Sequence, residues 1–235
     1  MRMHRHVSLL FALCLGAVAC SPEPSRAPAP ASAPAPSASA APLVHRFEHA
    51  DQWAKQFDDP ARDAWQKPAD VVAAMKIQPG MTVADIGAGT GYFEPYLSRA
   101  AGPNGTVLAL DVEPDMVRYI TERATREHLS NVKASQVAID DPQLPKGKVD
   151  RVLIVDTWHH IPSREAYAAK LRDALSAEGS ITIVDFTKES PHGPPPQHRL
   201  TPEQVIGELR KVGLSAGVAP GVALPDQYVI SARLP

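Results

Sequence analysis

Cysteine is almost absent from this chain of 235 residues, and both copies, Cys14 and Cys20, lie within the first twenty residues. Beyond them no thiol is available to form a disulfide, to bind a metal as a thiolate or to act as a nucleophile. An excess of basic residues is also missing, because 24 Lys and Arg are balanced by 26 Asp and Glu. With a formal charge of −2, the composition does not indicate a nucleic-acid partner.

Long hydrophobic runs are lacking too, apart from one near the N-terminus. Residues 7–18 form a nearly unbroken apolar run of about a dozen residues, which is short for a membrane-spanning helix. The run follows Arg2 and Arg5, and small residues lead from it to Cys20. This order is typical of an export signal over residues 1–20 and resembles the bacterial lipobox, in which the cysteine is lipidated. The resemblance predicts an exported protein, anchored by lipid to a bacterial membrane on its periplasmic side. Cleavage by the general signal peptidase, an uncleaved anchor and a cytoplasmic location are the alternatives.

Two further segments precede the main domain, which we place at residues 68–235. Residues 21–44 are dominated by Pro, Ala and Ser, and this composition has too little apolar surface to offset the entropy of ordering. They are predicted to form a disordered tether. Residues 45–67 contain four Phe or Trp side chains interleaved with charged residues, which predicts an arm that packs on the domain or a lid over a ligand cleft.

Three glycines at alternate positions mark the most informative stretch, Val83–Phe93. An apolar strand that carries Asp85 leads into Gly87, Gly89 and Gly91, and the start of a helix follows. Glycine allows the backbone to turn sharply and a ligand to lie directly against it. The N-terminus of the helix offers main-chain N–H groups. The stretch therefore predicts a ligand-binding turn.

Strand and helix patterns alternate from residue 68 to the C-terminus. Consecutive apolar residues such as 152–155 predict buried strands, whereas Pro114 and the capping box Thr201-Pro-Glu-Gln204 indicate helix starts. The alternation predicts an α/β fold, with a parallel sheet and helices on both of its faces. Such folds bind ligands outside the carboxyl ends of their strands, so the residues that follow each strand are the candidates for function.

The spacing Gly-x-Gly-x-Gly, with Asp85 two residues before the first glycine, resembles motif I of class I S-adenosylmethionine (SAM)-dependent methyltransferases. The resemblance covers roughly residues 68–233 and is strongest to the small enzymes of the ubiquinone and menaquinone biosynthesis type. It implies a Rossmann-like, doubly wound, mostly parallel seven-stranded sheet, SAM as the cofactor, and methyl transfer to an acceptor that we expect to be a small molecule. The dinucleotide fingerprint Gly-x-Gly-x-x-Gly fits less well, which disfavours an NAD-linked oxidoreductase.

A set of cofactor-binding residues follows from this resemblance. Asp111 ends the second strand, where a carboxylate accepts hydrogen bonds from ribose hydroxyls; its alternative role is to cap the helix that begins near Pro114. The segment that starts with Asp140 and Asp141 resembles the segment in which an acidic residue of these enzymes binds the adenine. Either aspartate could have this role; the alternative is that the pair forms a solvated turn and binds no cofactor. The predicted residues are Asp85, Gly87, Ala88, Gly89, Gly91, Asp111, Val112, Met116, Asp140 and Asp141.

The catalytic candidates are Asp156, His159 and His160. Both histidines lie where the resembling enzymes place residues next to the acceptor. Near neutral pH a histidine removes a proton from a hydroxyl or an amine, and Asp156 is close enough in sequence to orient one. Packing of a histidine against the following helix is the alternative.

Two other hypotheses compete with that of an active methyltransferase. A metal centre built from Asp156, Asp185 and nearby histidines lacks a tight His-x-x-x-His spacing, so no metal is predicted. SAM is made in the cytosol, which raises the possibility of an exported protein that binds SAM without turnover. Neither the acceptor nor the oligomeric state follows from the sequence.

Overall fold

A seven-stranded sheet forms the centre of the computed structural model, which describes residues 47–235. The predicted signal over residues 1–20, the predicted tether over residues 21–44 and the first two residues of the arm lie outside the described residues. Within residues 47–235, no helix is both long enough and apolar enough to cross a bilayer.

The strands have the order β3-β2-β1-β4-β5-β7-β6. All neighbours are parallel except β7, which is antiparallel to both β5 and β6. This arrangement confirms the predicted α/β fold with its mostly parallel sheet. The strands are β1 (Thr82–Ile86), β2 (Thr106–Asp111), β3 (Val132–Gln136), β4 (Val149–Val155), β5 (Leu175–Phe186), β6 (Ser215–Val218) and β7 (Gln227–Arg233).

Seven helices accompany the strands within the described part of the chain, together with 3-10 turns at Pro60–Arg62, Trp158–His160 and Pro196–His198. The first two helices belong to the arm and the others connect strands or flank the sheet. They are α1 (Ala50–Phe57), α2 (Asp63–Gln66), α3 (Pro68–Ala74), α4 (Glu94–Ala101), α5 (Pro114–Arg126), α6 (Arg164–Ala174) and α7 (Pro202–Lys211).

The core has one layer on each face of the sheet. Along β4, Val152 and Ile154 pack into the layer that includes residues of α6 and α7, whereas Leu153 and Val155 pack into the layer with α3 and α4. Full burial of each such side chain stabilises the fold by roughly 1.5–3 kcal/mol. This two-sided burial explains why the strand reads as a continuous apolar run, and it fixes the carboxyl ends of β1, β2, β4 and β5 side by side.

Some local features differ from the sequence predictions. Two prolines weaken any strand prediction for residues 214–226, yet β6 forms before them and pairs as an edge strand with β7. The sequence pattern predicts a third strand over residues 132–139, whereas β3 ends at Gln136. Ser163 precedes α6 without making a side-chain cap, whereas the capping box of Thr201 and Gln204 is formed as predicted.

Candidate functional site

The glycine turn is pinned between the ends of β1, β2 and β4. The N–H groups of Gly87 and Ala88 both donate to the carbonyl of Leu110, at 2.8 and 3.1 Å. Gly87 has a φ of +71°, and a Cβ at this position would lie 2.4 Å from Oγ1 of Thr157. Gly89 and Gly91 also have positive φ values, of +58° and +78°. The turn therefore needs glycine for both its backbone conformation and its close approach to β4.

Asp111 braces the turn from the end of β2. Its Oδ2 accepts a hydrogen bond from the N–H of Gly89 at 2.8 Å, and its Oδ1 accepts one from the N–H of Glu113 at 2.9 Å. Glu113, not Asp111, is the residue that precedes α5 as its N-cap. Burial raises the pKa of Asp111, and these main-chain N–H groups partly oppose the rise. Each carboxylate oxygen has a further lone pair that can accept from a hydroxyl group.

The remaining predicted cofactor residues fall into two groups. Met116 is almost fully buried and belongs to the core, while Val112 next to Asp111 is 39% exposed. Asp140 is exposed. Asp141 is partly exposed, accepts from the N–H of Gln143 at 2.8 Å and pairs with Lys170 at 3.0 Å. Both aspartates therefore lie in a turn that is accessible to solvent, and a contact of either one with the adenine stays a prediction.

Asp85 lies at the end of β1, beneath the turn, and is 3% exposed. Its carboxyl group meets that of Glu94, the first residue of α4, which is 1% exposed. Burial raises the pKa of Asp85 to about 7; the Glu94 hydrogen bond and the charge of Arg62 lower it, and the charge of Asp111 raises it. Sequence reasoning did not identify Glu94, although an acidic residue three positions after the last glycine was a visible signal.

His159 forms a buried pair with Asp185. Its Nδ1 lies 2.9 and 3.0 Å from the two carboxylate oxygens of Asp185, and both side chains are at most 2% exposed. The sequence suggested Asp156 as the orienting carboxylate, and for His159 this was wrong, because Asp185 at the end of β5 holds its imidazole. Burial lowers the pKa of His159, but the charge and the hydrogen bond of Asp185 outweigh it, so the net shift is upward. His160 packs beside His159, with ring centroids 4.2 Å apart.

Asp156 follows β4 in a left-handed conformation, with φ of +52°. Its Oδ1 accepts from Nε2 of Gln227 at 2.6 Å; Gln227 in turn accepts from Gln66 at 2.7 Å, and Gln66 accepts from Arg62 at 3.0 Å. Arg62 closes the ring, because its guanidinium lies 3.7 Å from Oδ2 of Asp156. Burial raises the pKa of Asp156 to about 7 despite the opposing charge of Arg62. A polar network thus joins the arm to the ends of β4 and β7.

The arm covers the glycine turn. A Cβ at Gly89 would lie 3.7 Å from the ring of Phe57, so this ring lies over the turn. Asp58 accepts from the hydroxyl of Thr90 at 2.8 Å and from Arg123 at 2.9 Å, which ties the arm to both the turn and α5. Further along the arm, the hydroxyl of Tyr92 donates to Asp63, and the guanidinium of Arg62 lies 4.2 Å from the centre of the Tyr92 ring. The sequence left open whether residues 45–67 form a lid or a packing arm; the described part packs closely on the site.

The histidines of the 187–200 loop do not join His159. His192 stacks on Trp65 of the arm, with centroids 4.6 Å apart. Arg199 organises this loop by donating hydrogen bonds to the carbonyls of residues 187, 188, 190, 192 and 194. In the described range 47–235, no group of three His, Cys, Asp or Glu side chains has the geometry to hold a metal ion.

The strand order, with an antiparallel β7, and the pinned glycine turn next to Asp111 together define the class I α/β methyltransferase fold. Residues 77–212, more than half of the chain, match the methyltransferase domain family. The chain belongs to this family, whose class I members use SAM.

Known proteins of similar sequence and structure support this assignment. A SAM-dependent methyltransferase from Aquifex aeolicus superposes with a TM-score of 0.72 at 29% identity, and the match covers 77% of this chain and 96% of that one. Nocamycin O-methyltransferase from Saccharothrix syringae is 29% identical over 157 residues, which are 67% of this chain and 53% of that protein. The UbiE ubiquinone/menaquinone biosynthesis C-methyltransferase from Burkholderia vietnamiensis is 28% identical over 127 residues, 53% of this chain and 50% of that protein. The chain spans about half the length of these curated relatives.

We expect Gly87→Ala to disrupt the turn, because the added Cβ meets Thr157 and alanine is strained at this φ. The free energy of unfolding should fall by roughly 1–3 kcal/mol, so thermal unfolding should occur at a lower temperature. The matched control is Gly207→Ala in α7, where nothing lies within 4 Å of the added Cβ and φ is helical; this variant should gain about 0.5–1 kcal/mol. Equal effects of the two substitutions would contradict the close packing at Gly87.

Proposed function

We propose that this protein is a SAM-dependent methyltransferase that acts on a small-molecule acceptor. The observation that carries the proposal is the Asp111 carboxylate at the end of β2, hydrogen-bonded to Gly89 in a turn whose three glycines have positive φ and where a side chain at Gly87 would meet Thr157. Asp111 would hold the ribose, the glycine turn would lie against the cofactor, and Asp85 would face its cationic methionine end. When bound, SAM supplies a methyl group on a positively charged sulfur, so the protein must mainly position the acceptor in line with it.

His159 is the group that would remove a proton from the acceptor. Asp185 binds Nδ1, so Nε2 is the nitrogen that would take a proton from the acceptor. Within residues 47–235, Nε2 makes no hydrogen bond. The Asp185 carboxylate both orients the imidazole and stabilises its protonated form after the proton is taken up. This division of roles resembles the carboxylate–histidine pairs that activate hydroxyl groups elsewhere.

Aromatic rings connect the turn to this histidine. The Phe57 ring lies over Gly89 and stacks on Trp53 with centroids 5.4 Å apart. Phe47 contacts both of these rings and also His160, at 5.9 Å. Such surroundings favour an acceptor with a flat, largely apolar body that carries an ionisable hydroxyl or amine. The curated relatives include an O-methyltransferase and a C-methyltransferase, which supports a small organic acceptor without selecting the atom.

Calorimetric titration of SAM into the protein tests the cofactor assignment. Asp111→Asn removes the charge that accepts from Gly89 and from the ribose, so its affinity for SAM should fall roughly tenfold to a hundredfold. Asp173→Asn, at an exposed aspartate near the end of α6, should bind as the wild type does. Absence of SAM binding by the folded wild-type protein would overturn the proposal. Binding without methyl transfer across a broad acceptor screen would favour the alternative of a SAM-binding protein without turnover.

The pH dependence of His159 tests its proposed role. Because its pKa is raised, the imidazole should lose its proton only above the value of about 6.5 for an unperturbed histidine, and the basic form should accumulate as the pH rises. In Asp185→Asn the burial that lowers the pKa remains while the attraction that raises it is gone, so the midpoint should move to lower pH. Nuclear magnetic resonance titration of the imidazole measures both midpoints without needing the acceptor. A midpoint that Asp185→Asn leaves unchanged would contradict the pairing.

We also propose that the protein is exported and carries lipid on Cys20, which places the enzyme on the periplasmic side of a bacterial membrane. The support is the order of basic residues, apolar run and small residues before Cys20. In a bacterial host fed an alkyne-tagged fatty acid, the wild-type protein and Cys14→Ser should be labelled, whereas Cys20→Ser should not. Equal labelling of the two variants, or none of the wild type, would exclude lipidation at Cys20.

A further inference from the structure

Two buried carboxyl groups meet beneath the glycine turn, and they belong to different elements of secondary structure. Asp85 is the last residue but one of β1, and Glu94 is the first residue of α4. A glutamate in the first turn of a helix is ordinarily favoured on the surface by the helix dipole. Glu94 instead points inward, and its Oε2 lies 3.2 Å from the position of a Cβ on Gly91. The pair therefore lies directly behind the backbone that would contact the cofactor.

The lack of a hydrogen-bond donor at Glu94 indicates that this pair retains a proton. Among the described residues, 47–235, no group donates a well-formed hydrogen bond to either carboxyl oxygen of Glu94, although both oxygens are buried from solvent. The carboxyl group that it faces is that of Asp85, and two ionised carboxylates have no donor between them. Burying an unpaired charge is far more costly than retaining a proton, so one of the two groups is neutral and donates to the other. The arrangement is that of two acids sharing one proton.

The neighbouring charges act on the pair from three other elements. Asp111 at the end of β2 opposes ionisation of Asp85, whereas Arg62 of the arm favours it. Arg123 of α5 favours ionisation of Glu94, but Arg123 is already paired with Asp58 and Glu127, at 2.9 Å each. Burial and the charge of Asp85 keep the pKa of Glu94 well above its ordinary value in spite of Arg123. The existing cations thus do not suffice to ionise both groups, and a further cation close to Asp85 would change the balance.

We propose that Asp85 and Glu94 share one proton in the cofactor-free protein, and that binding of the cationic methionine part of SAM at the glycine turn expels this proton to solvent. The step breaks one carboxyl O–H bond and transfers the proton to buffer, with no redox change. It rests on the proposed function in that it takes SAM as the ligand. As a consequence, the affinity for SAM increases as the pH rises. Glu94 lies behind the turn and affects the cofactor only through Asp85.

Calorimetric titrations of SAM in buffers with different enthalpies of ionisation measure the proton directly. We expect release of up to about one proton, largest below pH 7, with an affinity for SAM that rises by at most about tenfold per pH unit there and levels off above. 5′-Methylthioadenosine keeps the adenosine but lacks the charged methionine part, so its binding should release no proton from the pair. Wild-type binding that is independent of pH and of buffer would overturn the inference while leaving the proposed function intact. Lack of SAM binding at any pH would instead overturn the proposed function.

The variant Glu94→Gln tests whether the proton comes from this pair or from another buried acid near the turn. A glutamine amide supplies the N–H that the shared proton now supplies, so Asp85 stays ionised and the fold is retained, as thermal unfolding would verify. At pH 6 the variant should bind SAM up to about tenfold more tightly than the wild type, and at pH 8 equally well. Glu165→Gln, at a half-exposed residue of α6, is the matched control and should keep the wild-type pH dependence. If Glu94→Gln also keeps it, another group releases the proton and the inference is wrong.

Discussion

The close contact between the glycine turn and the ends of its neighbouring strands is the constraint on which the site depends. Gly87 and Ala88 are tied to the carbonyl of Leu110, and Thr157 fills the space that any side chain at Gly87 would need. Because β1 lies between β2 and β4 in the sheet, the turn is held from both sides by strands that the core already fixes. Because the turn is already ordered in this way, a ligand that binds against it does not have to pay the entropic cost of ordering the turn.

The arm completes the site, because its polar groups compensate charges at the strand ends. Arg62 is the clearest example of this compensation. Its guanidinium donates to Gln66, lies close to the carboxylate of Asp156 and packs on the face of the Tyr92 ring. Burial of a carboxylate such as Asp156 is costly, and the ring of hydrogen bonds through Gln66 and Gln227 offsets part of that cost. The arm and the strand ends are thus stabilised by each other, which explains why so polar a segment packs closely.

Local patterns in the sequence predicted the fold and the glycine turn, while long-range pairs could not be predicted. Glycine spacing, apolar runs and the capping box at Thr201 depend on neighbours within a few residues, so they are visible in one dimension. The contact of His159 with Asp185 spans 26 residues and that of Gln66 with Gln227 spans 161, and each depends on which strands become neighbours. Asp156 was the nearer carboxylate in sequence, but its left-handed backbone turns it toward Gln227. Strand β6 was missed because its four residues gain most of their stability from pairing with β7.

The distribution of buried charge bears on which ligand the site is built for. Asp85, Asp111 and Asp156 follow one another at the carboxyl ends of β1, β2 and β4, and burial raises the pKa of all three. Groups of this kind ionise more readily when a positive charge arrives, so their burial favours a cationic ligand over a neutral one. A dinucleotide would bring a doubly charged pyrophosphate to the same turn and would raise these pKa values further. The electrostatics therefore agree with the glycine spacing in favouring a sulfonium cofactor. The sheet topology alone does not distinguish such a cofactor from a dinucleotide.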